Sequence, residues 1–392
     1  MIGLGIIGLG EAGETHIGTI GIHRNAQQPP VRRGLIHSAR GVARNLLRGS
    51  TPANLNPPKT GIEGSQLIAV SDVDERRLAW ASEYFEIPFS HTNYKELVRR
   101  KDVDAVLICT PPAFHAEITA EAARHGKHVF CEKPLAMTSK ECEEMIEATE
   151  KAGVILQVGY MLRFSSERER IAGAIRSNQI GRPIYFREIV HLSAGGAQPW
   201  IHDQRLGGGP LFEASHCIDF VRYVLGEPEF VFGIGGRYKP NKISAVDTYA
   251  ASFIYPSGDR ALICDSYALK NFGWDQEACR LHRVEIDIAG PGGYIQYPDK
   301  DQSWQLTICT YGKPQDRIEK TSWTSIWGAN GYRSELEHFI DCVRHKKTPS
   351  ADGYEGLRTV RLCETILHSI ETGQVCKFDA LTSNNALAGG RG

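Results

Sequence analysis

The first 158 residues alternate between short, largely apolar runs and longer segments with helical spacing of apolar positions. Ile2 to Ile7 is such a run, closed by Gly8-Leu9-Gly10-Glu11-Ala12-Gly13, after which Ala12 to Ile20 reads as a helix. Gln66 to Ser71 is a second run. It ends at Asp72 and precedes a helical stretch from Glu75 to Phe85. Ala105 to Cys109 is stopped by Thr110-Pro111-Pro112 ahead of a helix from Ala116 to His125. Lys127 to Phe130 then enters Cys131-Glu132-Lys133-Pro134, and a helix over Ser139 to Ala152 leads to a strand over Val154 to Val158. This β/α alternation, counted as six strands, predicts an α/β fold with a doubly wound parallel sheet.

Beyond Val158 the pattern changes. Arg187–Leu192, Phe230–Ile234, Thr248–Tyr255, Arg260–Tyr267, Val284–Ala289 and Trp304–Thr310 are β-rich runs with partial alternation. Pro256-Ser257-Gly258-Asp259 and Gly290-Pro291-Gly292-Gly293 separate neighbouring runs as hairpin turns. A second α/β domain with a large open, mostly antiparallel sheet is expected over 159–380. Helices near Glu167–Ser177, Ser215–Val224, Tyr332–Arg344 and Tyr354–Thr372 are expected to cover one of its faces. The Asn, Ala and Gly-rich stretch 381–392 reads as a disordered tail.

The glycine cluster sits where a strand turns into a helix, the context in which such a motif cradles a dinucleotide. Gly8 permits the turn, Gly10 lets the backbone approach a pyrophosphate, and Gly13 allows helix–strand contact. Glu11 and Ala12 open the helix whose amides face the phosphates. Asp72, at the end of the second strand, suits the ribose hydroxyls and repels a 2′-phosphate, which favours NAD over NADP; its plainer role is a helix N-cap. Thr110, Pro111 and His115 follow the third strand at the ligand edge of such a sheet.

One spacing departs from the pattern. The ribose acid normally lies about 20 residues beyond the glycines, yet Gly13 and Asp72 are 59 positions apart (72 minus 13). The intervening insert, about 21–63, carries seven basic residues, Arg24, Arg32, Arg33, Arg40, Arg44, Arg48 and Lys59, against one acid, Glu63. It reads as a surface excursion or a contact with another subunit.

A length of 392 residues suits two domains, and a net charge of −1 gives no general attraction for nucleic acid or anionic membrane. The expected partner is a small molecule. The ten cysteines include no Cys-x-x-Cys pair, and Cys279-x-x-His282 lacks a second half, so no metal site is expected and the thiols read as reduced. With neither a leader nor a membrane-length apolar run, the cytoplasm is the expected compartment.

Thr110-Pro111-Pro112-Ala113-Phe114-His115, Glu132-Lys133-Pro134, Gly159-Tyr160-Met161-Leu162-Arg163-Phe164, and Trp200 followed by Gly207-Gly208-Gly209 and His216-Cys217-Ile218-Asp219 together resemble the Gfo/Idh/MocA oxidoreductases. The resemblance spans nearly the whole chain apart from the insert and tail. It implies a Rossmann domain, a C-terminal α/β domain, a nicotinamide cofactor contacted in part by Glu132 and Lys133, and a sugar, polyol or related substrate. Carried over by position, Lys133 corresponds to the lysine that hydrogen-bonds the reacting hydroxyl, and His216 to the general base. An alcohol loses hydride only as its hydroxyl proton departs, so these residue types suit the chemistry.

The sequence departs from the family at a third position. An acid is usual four residues before the histidine, but position 212 is Phe and the nearest acid is Glu213, which on a helix shares a face with His216. Asp219 is a further candidate. Tyr160, Arg163, Trp200 and His202 are candidate substrate contacts, each with a scaffold role as the alternative. The reading that results is an NAD-dependent sugar, inositol or glycoside dehydrogenase, forming a homo-oligomer. The alternatives are a lyase or glycosidase that uses transient oxidation with no net redox change, and a non-catalytic ligand sensor.

Overall fold

The computed structural model describes residues 1–21, 61–191, 199–239, 241–268, 283–297, 304–310, 321–323 and 331–379. Most of the insert, the Cys279/His282 pair and the C-terminal tail lie outside the described residues. The chain divides into two compact units: residues 1–136, 142–166 and 327–354 form the first, and 137–141, 167–326 and 355–392 the second.

The first unit runs β1 (Ile2–Ile7), α1 (Glu11–Ile20), β2 (Ser65–Ser71), α2 (Glu75–Tyr84), β3 (Phe89–His91), α3 (Tyr94–Val98), β4 (Ala105–Ile108), α4 (His115–Arg124), β5 (His128–Cys131), α5 (Ser139–Ala152) and β6 (Leu156–Val158). Its six strands lie in the order β3-β2-β1-β4-β5-β6, and every pairing is parallel. The strand that the hydrophobic pattern did not locate is β3, whose three residues are too few to show a period. Strand order reverses between β1 and β4, so the crevice at their carboxyl ends is where a doubly wound sheet receives its ligand.

The second unit contains α6 (Ser166–Arg176), β7 (Tyr185–His191), α7 (Pro210–Glu213), α8 (Ser215–Leu225), β8 (Phe230–Gly236), β9 (Thr248–Ile254), β10 (Arg260–Ser266), β11 (Arg283–Gly290), β12 (Gly293–Tyr297), β13 (Trp304–Thr310) and β14 (Thr321–Trp323). Helices α9 (Gly331–His345) and α10 (Gly353–Thr372) and strand β15 (Cys376–Lys377) complete the chain. The nine strands follow the order β14-β13-β12-β11-β7-β10-β9-β8-β15. Among the described residues only β7 and β10 pair in parallel; the other ladders are antiparallel. The Pro256 and Gly290 turns close the β9–β10 and β11–β12 hairpins as expected. On one sheet face Phe232, Ile234, Ile254 and Tyr185 are exposed, alternating with buried Val231 and Phe253.

One helix packs elsewhere than the sequence suggested. The helix read as Tyr332–Arg344 does not cover the second sheet: Leu336, Phe339 and Ile340 of α9 join the core of the first unit with Ile2, Leu4, Leu107 and Phe130. An i, i+3, i+4 stripe specifies a buried face but not the sheet that buries it. No helix among the described residues is long and apolar enough to cross a membrane.

Candidate active site

Gly8 and Gly13 are required by their surroundings. Gly8 adopts φ +90°, where a β-carbon would also stand 2.7 Å from the Cys109 carbonyl oxygen. A β-carbon on Gly13 would collide with the Gly8 carbonyl, so α1 packs directly onto the turn. Gly10 faces open space, the nearest atom to its absent β-carbon being an Arg77 guanidinium nitrogen at 3.9 Å. As N-cap it lays no side chain over the first-turn amides, which leaves them suited to phosphate.

Asp72 is buried at the end of β2. Its Oδ2 accepts the Leu9 N–H at 2.6 Å and Oδ1 the Asp74 N–H at 2.8 Å, while Arg77 Nη1 approaches Oδ2 at 3.4 Å. The carboxylate therefore ties the glycine turn to β2. Helix α2 is capped not by Asp72 but by Asp74, which accepts the Arg76 N–H.

After β4, Thr110 carries a buried Oγ1 with no hydrogen-bond partner among the described residues. Its carbonyl lies 2.9 Å from His115 Nε2, and His115 Nδ1 lies 3.0 Å from the Pro134 carbonyl and 3.2 Å from that of Leu135. His115 is fully buried, and burial lowers its pKa from the ordinary value. Where the sequence suggested a cofactor contact, His115 instead fastens the segment after β4 to the segment that bears Lys133. Lys133 itself is partly exposed.

Glu132 likewise points inward. Its Oε1 lies 2.6 Å from His16 Nε2 and its Oε2 accepts the Lys133 N–H at 3.2 Å. Burial raises its pKa, but the hydrogen bond and charge of His16, with the charge of Lys133, outweigh that and hold the carboxyl below its usual value. Glu335 of α9 stands beside this pair, fully buried, with its pKa raised by burial and then by Glu132. The sequence reading missed His16 and Glu335. The only local signal for His16 is its place three residues after Gly13, and Glu335 had none. Tyr160 and Arg163 are also interior, Arg163 donating to the Ser350 carbonyl at 2.6 Å.

In the second unit, Gly208 and Gly209 take φ +72° and +75°. A β-carbon on Gly207 would stand 2.8 Å from Trp200 and Ile201 backbone atoms. This tight turn delivers the chain into α7. Glu213 ends α7 and His216 is the second residue of α8, with Ala214 between them (φ −78°, ψ 9°). The single helix assumed for a shared Glu213–His216 face is thus interrupted. The Ala214 carbonyl accepts the N–H of both Cys217 and Ile218, as it does where a helix restarts. His216 is 6% exposed and Glu213 more open. Asp219 is fully buried, accepts from Thr359 and lies 3.7 Å from Arg222 one turn along the same helix. Trp200 packs on Ile201, Ile243, Ala245 and Tyr267; the His202 ring lies against Tyr267, and burial lowers its pKa.

Family models agree with this architecture. The model for the NAD-binding Rossmann fold of the Gfo/Idh/MocA oxidoreductases matches residues 2–160, and that for their C-terminal α/β domain matches 172–378. The chain belongs to the Gfo/Idh/MocA oxidoreductase family. It is 29% identical to myo-inositol 2-dehydrogenase of Thermotoga maritima over 324 residues, 81% of this chain and 92% of the relative. It is 30% identical to 1,5-anhydro-D-fructose reductase of Ensifer adhaerens over 353 residues, 89% and 98% of the two chains. A crystal structure of a probable dehydrogenase from Thermotoga maritima aligns with TM-score 0.70 at 26% identity, covering 96% of this chain and 98% of that one.

Proposed function

We propose that this oxidoreductase oxidises a secondary hydroxyl of a sugar, inositol or glycoside by hydride transfer to NAD. The observation that carries the reading is the cradle between β1 and β4. The Gly8 turn, the uncovered amides of α1, the Asp72 carboxylate and the orphaned Thr110 hydroxyl form a site complementary to a dinucleotide. Gly8, Gly10, Glu11, Ala12, Gly13, Asp72, Thr110 and Pro111 would hold the cofactor, which supplies the hydride acceptor. Asp72 favours NAD, because its charge opposes a 2′-phosphate.

Lys133 donates a hydrogen bond to the reacting hydroxyl, and His216 takes the proton that leaves it. Glu213 orients the imidazole. Trp200 and His202 contact the sugar, while Tyr160 and Arg163 support the chain after β6 from inside. The exposed apolar row of Phe232, Ile234, Ile254 and Tyr185 supports a homo-oligomer joined through this sheet face.

The test is absorbance of reduced nicotinamide with a panel of inositols, aldoses and anhydrosugars. Stoichiometric reduced cofactor is expected with at least one of them. Cleaved sugar without reduced cofactor, or binding without turnover, would overturn the reading.

A further inference from the structure

We propose that His16 is a positioning residue that sets Lys133 through Glu132, with Glu335 as a neutral neighbour of that carboxylate. The proposal rests on the role given to Lys133 above.

The contacts form a continuous chain inside the first unit. One oxygen of Glu132 meets His16 Nε2 at 2.6 Å and the other receives the Lys133 N–H at 3.2 Å, so the carboxylate cannot turn without disturbing both. A β-carbon on Gly159 would lie 3.3 Å from the Glu132 carboxyl carbon and 3.2 Å from Phe130, so glycine at this position leaves the carboxylate its space. The His16 ring is fixed by edge contacts to Phe130 and Tyr332, at 5.3 and 5.5 Å between centroids. Gln157 of β6 donates to the Glu335 carbonyl at 2.9 Å, which anchors α9 at this point.

Charge balance assigns the protons. The ligating atoms of His16, Glu132 and Glu335 lie within 4.8 Å of one another, all buried. Two bare carboxylates so close in a dry interior are strongly unfavourable. Glu132 has His16 and the Lys133 N–H to stabilise an anion, whereas both Glu335 carboxyl oxygens lack a hydrogen-bond partner among the described residues. Glu132 is therefore the anion and Glu335 the neutral acid. Lys133 also acts on Glu132, and the thiols of Cys109 and Cys131 face the pair, raised by burial and by the Glu132 charge. A shared metal ion fits less well. Nitrogen and oxygen ligands of one tetrahedral ion, each about 2.1 Å from it, stand about 3.4 Å apart, and 2.6 Å is a direct hydrogen bond.

Displacing a reacting group by about 1 Å can lower a rate about 100-fold. His16→Leu, which removes the donor to Glu132, is expected to lower kcat about 10- to 100-fold while KM and the NAD dissociation constant stay within about threefold. His16→Gln, whose amide can donate to Glu132, should recover most of the loss. If His16→Leu does not fold, Glu132→Asp, which keeps the charge but retracts the carboxylate, should show the same loss in kcat alone.

A second readout uses the full chain without substrate. Competitive acylation of lysines, followed by mass spectrometry, should show several-fold altered labelling of Lys133 in His16→Leu and no change at Lys95 or Lys140. Unchanged kcat and labelling would overturn the proposal, as would a loss shared equally with NAD affinity and not rescued by Gln. So would a stoichiometric metal ion in the native protein that Glu335→Gln removes. If no polyol is turned over, the dehydrogenase reading fails, and Lys133 labelling still decides the positioning.

Discussion

Replacing Asp72 by Ala should separate its structural task from its cofactor task. The native carboxylate accepts the Leu9 N–H at 2.6 Å and the Asp74 N–H at 2.8 Å. Hydrogen bonds to a charged group contribute about 1.5–3 kcal/mol each, and a buried donor left alone loses most of that. Leu9 is fully buried, so its N–H stays dry, while that of Asp74 can reach water. A stability loss of about 2–3 kcal/mol follows. Loss of the ribose contact should weaken NAD binding about 10- to 100-fold. NADP should not lose in parallel, because the repulsion of its 2′-phosphate disappears and Arg77, 3.4 Å from the native carboxylate, is released towards that phosphate. The NAD/NADP preference should therefore fall at least about tenfold, and Asp72→Ala/Arg77→Ala should cancel the NADP advantage. Calorimetric titration of both cofactors, with thermal melts of the same samples, measures each part. The reasoning is refuted if the native enzyme binds NADP as tightly as NAD, or if the ratio is the same in Asp72→Ala.

Lys133→Ala and His216→Ala should each lower kcat about 100-fold or more with NAD affinity nearly intact; steady-state kinetics showing near-normal turnover in His216→Ala would remove it as the base. The Glu335 carboxyl is raised above its ordinary value of 4.5, so the stability linked to its protonated form is full below that value and is lost as pH rises through the folded value. Glu335→Gln should accordingly gain progressively in Tm over the native protein as pH rises above about 4.5, and a constant difference across calorimetric scans would contradict a neutral Glu335. In the second unit, Glu188 is fully buried and meets Arg168 through two bonds of 2.7 and 3.2 Å. Glu188→Ala should cost about 3–5 kcal/mol in urea unfolding by stranding the guanidinium; a loss under about 1 kcal/mol would mean that water reaches Arg168.

The parts of this enzyme that are legible along the chain are those whose cause is local. Largely apolar runs of four to six residues locate five strands of the first sheet because neighbouring residues alone set that pattern. Gly8, Gly10 and Gly13 announce a phosphate cradle because Gly8 and Gly13 answer backbone requirements of their own turn and Gly10 leaves the first-turn amides uncovered. The family resemblance adds Lys133 and His216 by position. Tertiary structure decided what depends on a partner distant in sequence. The stripe of α9 suited either sheet, and packing placed it in the first unit. His115, on sequence a cofactor contact, meets three backbone carbonyls up to 20 residues away. The break at Ala214, which puts Glu213 and His216 on two short helices instead of one, is a feature of the folded backbone. His16 and Glu132 are 116 positions apart and Glu335 lies 203 beyond Glu132 (335 minus 132). Periodicity records which face of an element is buried, but a buried hydrogen bond between elements is fixed only when the fold brings its donor and acceptor together.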